Sequence, residues 1–310
     1  MGKKVSVGGQ AVIEGVMMRG AKGLATAVRL PSGKIEIKKQ NYDSFTKKHK
    51  LFSLPIIRGF VSLVESLIIG MKSLEFSASF LEEEEEPSKF DKWFEGIFKE
   101  KTNDVIMGFS LVLSLVLAML LFFITPTLLT TFIKSNITNN TIILNITEGI
   151  IRVAIFLLYI TLVGKMQDIK RVYQYHGAEH KTIFCYEAGV ELTPENAQRF
   201  SRFHPRCGTN FLFLVMVISI VIFSFTGYQS IISRIIWRIL LLPLVSGVTY
   251  EVIRWLGKSN NYFAKVVAAP GLKLQGLTTK EPDLTMIEVA IASLKAAEGI
   301  EDAIVKEDDN

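Results

Sequence analysis

Five of the six histidines and cysteines in this chain fall within the 32 residues from His176 to Cys207. In Tyr175-His176-Gly177-Ala178-Glu179-His180-Lys181 the two histidines stand four apart, so a helix carries both imidazoles on one face with Glu179 beside them. The order His-x-x-Glu-His inverts the His-Glu-x-x-His helix in which two imidazoles hold zinc and the carboxylate takes a proton from water. Downstream, in His204-Pro205-Arg206-Cys207-Gly208-Thr209-Asn210, His204 and Cys207 are the donor types that complete the sphere of a divalent transition metal, zinc above all. Two chemistries follow. With one of that pair as third ligand, a position stays open for water. The site is then hydrolytic, with Glu179 as general base and Arg206 available to an anionic group. With both as ligands, four donors close the sphere and the metal is structural. Cys185 is a further thiol, read either as an alternative ligand or as a small buried side chain. Gly177 weakens the motif helix by about 1 kcal/mol relative to alanine.

The elements that must hold these residues are those of a membrane protein. Val105 to Ile133 contains no charge, and about 20 apolar residues cover a bilayer in helical form. Four spans are expected, at about 105–131, 148–165, 211–227 and 235–256, with Pro126 kinking the first. Lysine and arginine number 17 in residues 1–104, seven in 165–210 and six from 257 onward, against one each in 134–147 and 228–234. By the positive-inside rule both termini and the His/Cys loop are cytoplasmic. Two cysteines do not make a disulfide framework, which fits a reducing compartment. The net charge of +5 is small for 310 residues, and no specific nucleic-acid binding is expected.

The expected fold is thus an α-helical integral membrane protein of about four transmembrane helices with a small cytoplasmic α+β part. Residues 1–50 read as a β-rich module, with a hairpin at Pro31-Ser32-Gly33 and glycines serving bulges and turns or a close approach to the metal loop. Residues 51–104 read as interfacial amphipathic helices and an acidic loop. Arg58, Glu65 and Lys72 draw a polar stripe on Leu51 to Leu81, taken as lying at the interface because a fifth span would move the His/Cys loop outside. The transmembrane domain, 105–256, carries the loop 165–210. Within it Glu148 and Arg152 form an i, i+4 pair at the outer end of the second span. Glu251, in the inner third of the last span, pairs with Arg254 or serves the metal as ligand or supporting carboxylate. In the tail, 257–310, Ala268 to Thr279 reads as extended. A helix from Asp283 to Ala297 follows, with Thr285 and Glu288 as a capping box and Ile287, Ile291 and Leu294 packing on the N-terminal module.

Four blocks together resemble the YqhQ-type family of bacterial membrane proteins. They are Gly9-Gln10-Ala11-Val12-Ile13-Glu14-Gly15-Val16-Met17-Met18-Arg19, Tyr175 to Thr182, His204 to Asn210, and Leu274-Gln275-Gly276-Leu277-Thr278-Thr279-Lys280-Glu281-Pro282. The resemblance spans nearly the whole chain and implies a bacterial inner membrane, a metal, and a metal-dependent enzyme whose substrate the family does not specify. The functional expectation is a cytoplasmic-face hydrolase acting on a lipid-like or peptide substrate. Its alternative is a membrane scaffold with a structural metal that docks a soluble cytoplasmic partner. The bilayer is the first partner in either case, and self-association is compatible with the sequence.

Overall fold

Short alternating segments separated by glycine and Pro-Ser-Gly turns cannot extend far before reversing, and they close into one antiparallel sheet. Its strands are β1 (Gly8–Val12), β2 (Gly15–Gly20), β3 (Gly23–Arg29) and β4 (Ile35–Gln40), in the order β1-β2-β3-β4. The computed structural model describes residues 7–42, 44–48, 50–80, 102–226, 230–256, 259 and 261–300. The acidic run Glu82 to Glu86 and the stretch Lys89 to Lys101, expected from its sequence to be amphipathic, lie outside the described residues.

After the sheet come α1 (Phe45–Lys48), a 3₁₀ turn, α2 (Ile57–Ala78), α3 (Thr102–Met119), a π-helical turn (Leu120–Ile124), α4 (Thr125–Asn136) and α5 (Thr141–Val163). The chain continues with α6 (Gln167–Glu187), α7 (Pro194–Gln198), α8 (Gly208–Ser224), α9 (Ile231–Leu256), α10 (Tyr262–Thr278) and α11 (Leu284–Glu298). The fold is mostly helical with one small sheet. Among the described residues, three helices have the length and apolar composition to cross a membrane: Gly108–Asn136, Thr141–Val163 and Ile232–Leu256. The expected fourth, Gly208–Ser224, has 17 residues. At 1.5 Å per residue it spans only ~26 Å, short of a hydrocarbon core of about 30 Å.

The described residues of Met1–Phe80, Ile160–Ile218 and Leu242–Asn310 form one compact unit, and those of Leu81–Tyr159 and Ser219–Leu241 a second. In the first, Val16, Met18, Ala25 and Ala27 on one sheet face share a core with Tyr175, Ala178 and Ile183 of α6 and with Met286, Ile287, Ile291 and Leu294 of α11. Each large aliphatic buried there contributes about 1.5–3 kcal/mol. The tail helix thus packs where its apolar spacing placed it. Its cap differs from expectation: Asp283 accepts the Met286 N–H at 2.9 Å, Thr285 donates its hydroxyl to Asp283, and Glu288 reaches Arg29 instead.

The other sheet face meets α2, with Thr26 3.5 Å from Ser73 and Gln10 lying over Gly70. One charge of the α2 stripe, Glu65, therefore turns inward, and a second, Arg58, is half-buried in an ion pair. Buried Glu65 takes the Phe45 N–H at 2.8 Å and the Ser44 hydroxyl at 2.9 Å, and Arg58 pairs with Glu251. Val64, Leu67, Ile68, Met71 and Leu74 are the exposed face. The stretch from Ala268 to Thr279, expected to be extended, is instead the C-terminal part of α10. Asn261 caps that helix by accepting the Ala264 N–H at 2.8 Å, and Pro270 sits inside it. Tertiary contacts of Gly271 and Gln275 outweigh the local Pro-Gly turn signal.

In the second unit, Pro126 has no N–H to give the carbonyl four residues back, Phe122, and Arg152 Nε takes that oxygen at 3.1 Å. The expected Glu148–Arg152 pair forms at 3.0 Å, two turns into α5 and not at its end. Arg234, Arg238 and the Thr127 hydroxyl converge on the same buried carboxylate.

Candidate metal centre

The helix α6 places His176, Glu179 and His180 on one face, as their spacing dictates, and its central turns are buried. The loop before α8 brings Cys207 up to them. His176 Nε2 lies 3.2 Å from Cys207 Sγ, and the candidate ligand atoms of His176, His180 and Cys207 are all within 4.8 Å of one another.

The outer nitrogens decide what the inner ones can do. His176 Nδ1 lies 2.9 Å from the Thr278 carbonyl and His180 Nδ1 2.5 Å from the Arg202 carbonyl. A carbonyl oxygen only accepts, so each Nδ1 carries the proton and each Nε2 presents a lone pair to the centre. Cys207 Sγ accepts the Thr209 N–H at 3.3 Å and donates to the Thr209 hydroxyl oxygen at 3.3 Å, which fixes the sulfur in place. Two imidazoles and a cysteine sulfur are a borderline-soft donor set that suits zinc better than calcium or magnesium, so the residues present fit the expected ion.

The other predicted site residues are distributed as follows. Glu179 is buried beside the trio, and burial pushes its carboxyl up to about 7 against the lowering influence of His176 and the Gly9 backbone amide. A Cβ on Gly9 would lie 3.1 Å from the Glu179 carboxyl carbon, so at this position the glycine allows a close backbone approach to the His/Glu helix. His204 stands outside the converging trio. Its Nδ1 accepts the Arg206 N–H at 3.3 Å, and its ring centroid is 5.5 Å from that of His180. Its Nε2 is buried with no hydrogen-bond partner among the described residues. Burial, with His180 and Arg206 adding to it, holds this imidazole down to about 3 and therefore neutral. Arg206 pairs with Glu187. Cys185 sits in the core with its thiol toward the carbonyls of Val190 and Glu191, and burial raises its pKa. Glu251 is not joined to the centre: Arg58 holds it in a two-bond pair, Nε to Oε1 at 2.6 Å.

Sequence reasoning missed the shell that orients the ligands. Gln275 of α10 accepts the His204 N–H at 2.8 Å and donates to the His204 carbonyl at 2.8 Å and to Asn210 at 3.1 Å. Buried Lys181 ties the Gln198 and Phe200 carbonyls, at 2.9 and 2.8 Å, to Glu281 at 3.1 Å. Backbone carbonyls such as those of Thr278 and Arg202 leave no trace in residue type. Gln275 stands in the Leu274 to Pro282 block, and Asn210 ends the His204 block.

The family described as a protein of unknown function (DUF1385) matches residues 54–299. The chain belongs to that family. It is also 35% identical over 293 residues to the Bacillus subtilis (strain 168) protein called "Uncharacterized protein YqhQ", covering 92% of this chain and 90% of that one. No solved structure matches it. The matched range contains α6, the Cys207 loop and α10, so the whole candidate centre belongs to the family segment, whereas the β-sheet that contacts Glu179 precedes it.

Proposed function

We propose that this DUF1385 chain is a multi-pass protein of the bacterial inner membrane with a metal-dependent hydrolase centre on its cytoplasmic face. His176, His180 and Cys207 hold the ion, zinc by donor type, and Glu179 is the general base. The observation that carries the reading is the convergence of two Nε2 atoms and one Sγ within 4.8 Å, with both Nδ1 protons already given to carbonyls. Three protein donors are the complement of a catalytic zinc site, which keeps a position for water or substrate, whereas a structural site takes four. Zinc so held supplies Lewis acidity toward a carbonyl or phosphoryl oxygen and brings the ionisation of water toward neutral pH. The chain itself supplies positioning, through the carbonyls that fix both rings and through Glu179, one residue from His180 on the same helix face. The membrane reading rests on the three long apolar helices, with Gly208–Ser224 as a short fourth span, and on the distribution of lysine and arginine. The substrate is lipid-like or peptide.

A second reading, a scaffold with a structural metal that docks a soluble partner, is favoured by one observation. His204 Nε2 is buried without a hydrogen bond among the described residues, 3.9 Å from a Glu187 oxygen, and its ring centroid is 5.5 Å from that of His180, so a fourth nitrogen donor stands next to the trio. One variant separates the two. In a hydrolase, Glu179→Gln keeps metal content and folding but lowers the rate by about 10² to 10⁴, the usual worth of general-base catalysis. In a scaffold it is silent. Complementation of the deletion phenotype by Glu179→Gln, with metal content measured on the same protein, gives the answer, and full complementation defeats the hydrolase.

A further inference from the structure

The first strand of the sheet borders the metal centre and is also an edge. In the order β1-β2-β3-β4, β1 pairs with β2 alone, in the register Gly8↔Arg19, Gly9↔Met18, Gln10↔Met17, Ala11↔Val16 and Val12↔Gly15. The two-residue turn at Ile13-Glu14 makes Val12–Gly15 the closing hydrogen-bonded pair. Alternation then gives Gln10 and Gly8 to the ladder and turns the N–H and C=O of Gly9 and Ala11 away from β2. The pairing of β2 with β3, closed at Gly20↔Gly23, has the complementary parity.

Among the described residues that outward row has no backbone partner. Gly9 is exposed and Ala11 half-buried, and among the described residues no backbone hydrogen bond reaches either from outside the hairpin. Its lower end is closed by Ser77, whose hydroxyl takes the Ile13 N–H at 3.3 Å. Its upper end abuts the chemistry, where the Gly9 amide faces the Glu179 carboxylate. What remains is the Gly9 carbonyl and the Ala11 N–H and carbonyl, acceptors and a donor at strand spacing, leading toward Glu179.

We infer that β1 is the substrate-aligning strand of the centre, taking an extended polypeptide by strand addition, so that the substrate class is peptide and not lipid. This rests on the hydrolase reading for its chemistry but not for its binding. A strand added to β1 exchanges both hydrogen bonds with Ala11 and runs past Glu179, bringing successive peptide bonds beside the general base, which takes its proton from water. An acyl chain has no alternating donors and acceptors, and this edge offers it nothing.

Amide hydrogen exchange on the full chain in detergent micelles tests this, with an acetylated, amidated peptide of alternating threonine and alanine as probe. The peptide is expected to slow exchange at Ala11 by at least about tenfold, because a paired edge amide is protected and a free one is not. The same peptide N-methylated at alternate residues, and phosphatidylglycerol, should leave Ala11 unchanged. Ala11→Pro removes an N–H that serves no ladder bond, so it should abolish retention of the probe while keeping the melting temperature and zinc content. Unchanged exchange at Ala11 with the plain peptide, or equal protection by the N-methylated one, overturns the inference. Glu179→Gln separates it from the hydrolase reading, since that variant should bind the probe like wild type and cleave nothing. Peptide that protects Ala11 but is never cleaved by wild type leaves the docking strand standing and removes the hydrolase. Cleavage of phosphatidylglycerol esters with no peptide protection does the reverse.

Discussion

Cys207 is the one donor of the trio that arrives from outside α6, and the only one that carries negative charge when it binds. Its sulfur is held by the Thr209 amide, its loop by Gln275 and Asn210, and its distance to His176 is fixed by both. Removing any of the three donors leaves two, too few to retain zinc against solvent. Elemental analysis of detergent-purified protein should therefore find about one zinc per chain, falling toward none in His176→Ala, His180→Ala or Cys207→Ser. His204→Ala should keep its zinc, because that ring lies outside the trio. Loss of metal from His204→Ala would mean that four donors bind. Residue types and spacing made His176, Glu179, His180 and Cys207 legible in the sequence, since one helix turn unites the first three and Cys207 stands in the next cluster of His and Cys. They misassigned Glu251, because its partner Arg58 lies 193 positions away in the chain and no local pattern announces it.

At the scale of elements, α11 follows from its apolar spacing and the hairpin at Pro31-Ser32-Gly33 from its turn residues, whereas much of the expected loop 165–210 is the helix α6, of which only the His176/His180 spacing gave a sign. Ala268 to Thr279 departs from its local signals, because Pro270 and Gly271 signal a turn locally while the docking of α10 on the Cys207 loop rewards a helix. Gly271 is where that docking is tightest, a Cβ there falling 2.6 Å from Asn210 Oδ1. Gly177 shows the same conflict in reverse. Alanine there would gain about 1 kcal/mol of helix propensity. Yet its Cβ would stand 2.1 Å from the Lys280 carbonyl oxygen, a backbone atom tied down by the Lys280 N–H to Tyr173 bond at 2.8 Å. Overpacking of this kind costs about 1–3 kcal/mol, so Gly177→Ala should be destabilised overall. The displaced segment also carries Thr278, the acceptor for His176 Nδ1, so zinc affinity should fall by about 10- to 100-fold. Thermal unfolding and competition with a chromogenic chelator report the two effects. A rise in melting temperature would show that the close approach of 280–282 to α6 is wrong.

At the scale of the whole molecule, the orientation in the bilayer is the property that the fold alone leaves to charge. Residues 134–147 and 228–234 each hold one basic residue, whereas the sheet, the His/Cys loop and the tail hold many, so the proposed topology requires an even number of crossings between each of the last three. That parity needs Gly208–Ser224 to cross despite its 17 residues, by local thinning of the bilayer at a cost of fractions of a kcal/mol per ångström. It also needs α2 not to cross, although its outward face of Val64, Leu67, Ile68, Met71 and Leu74 is apolar enough for lipid. Exposed Ser135, Ser230 and Ser201 report on each alternative, and both native cysteines are buried and need not be removed. In intact cells, Ser135→Cys and Ser230→Cys should react with a membrane-impermeant maleimide, and Ser201→Cys only after permeabilisation. If α2 crosses, the pattern inverts, with Ser201→Cys alone labelled from outside. If Gly208–Ser224 does not cross, Ser201→Cys and Ser230→Cys label together. Either result moves the metal centre or the carboxyl-terminal tail out of the cytoplasm and removes the topological basis of a cytoplasmic-face enzyme.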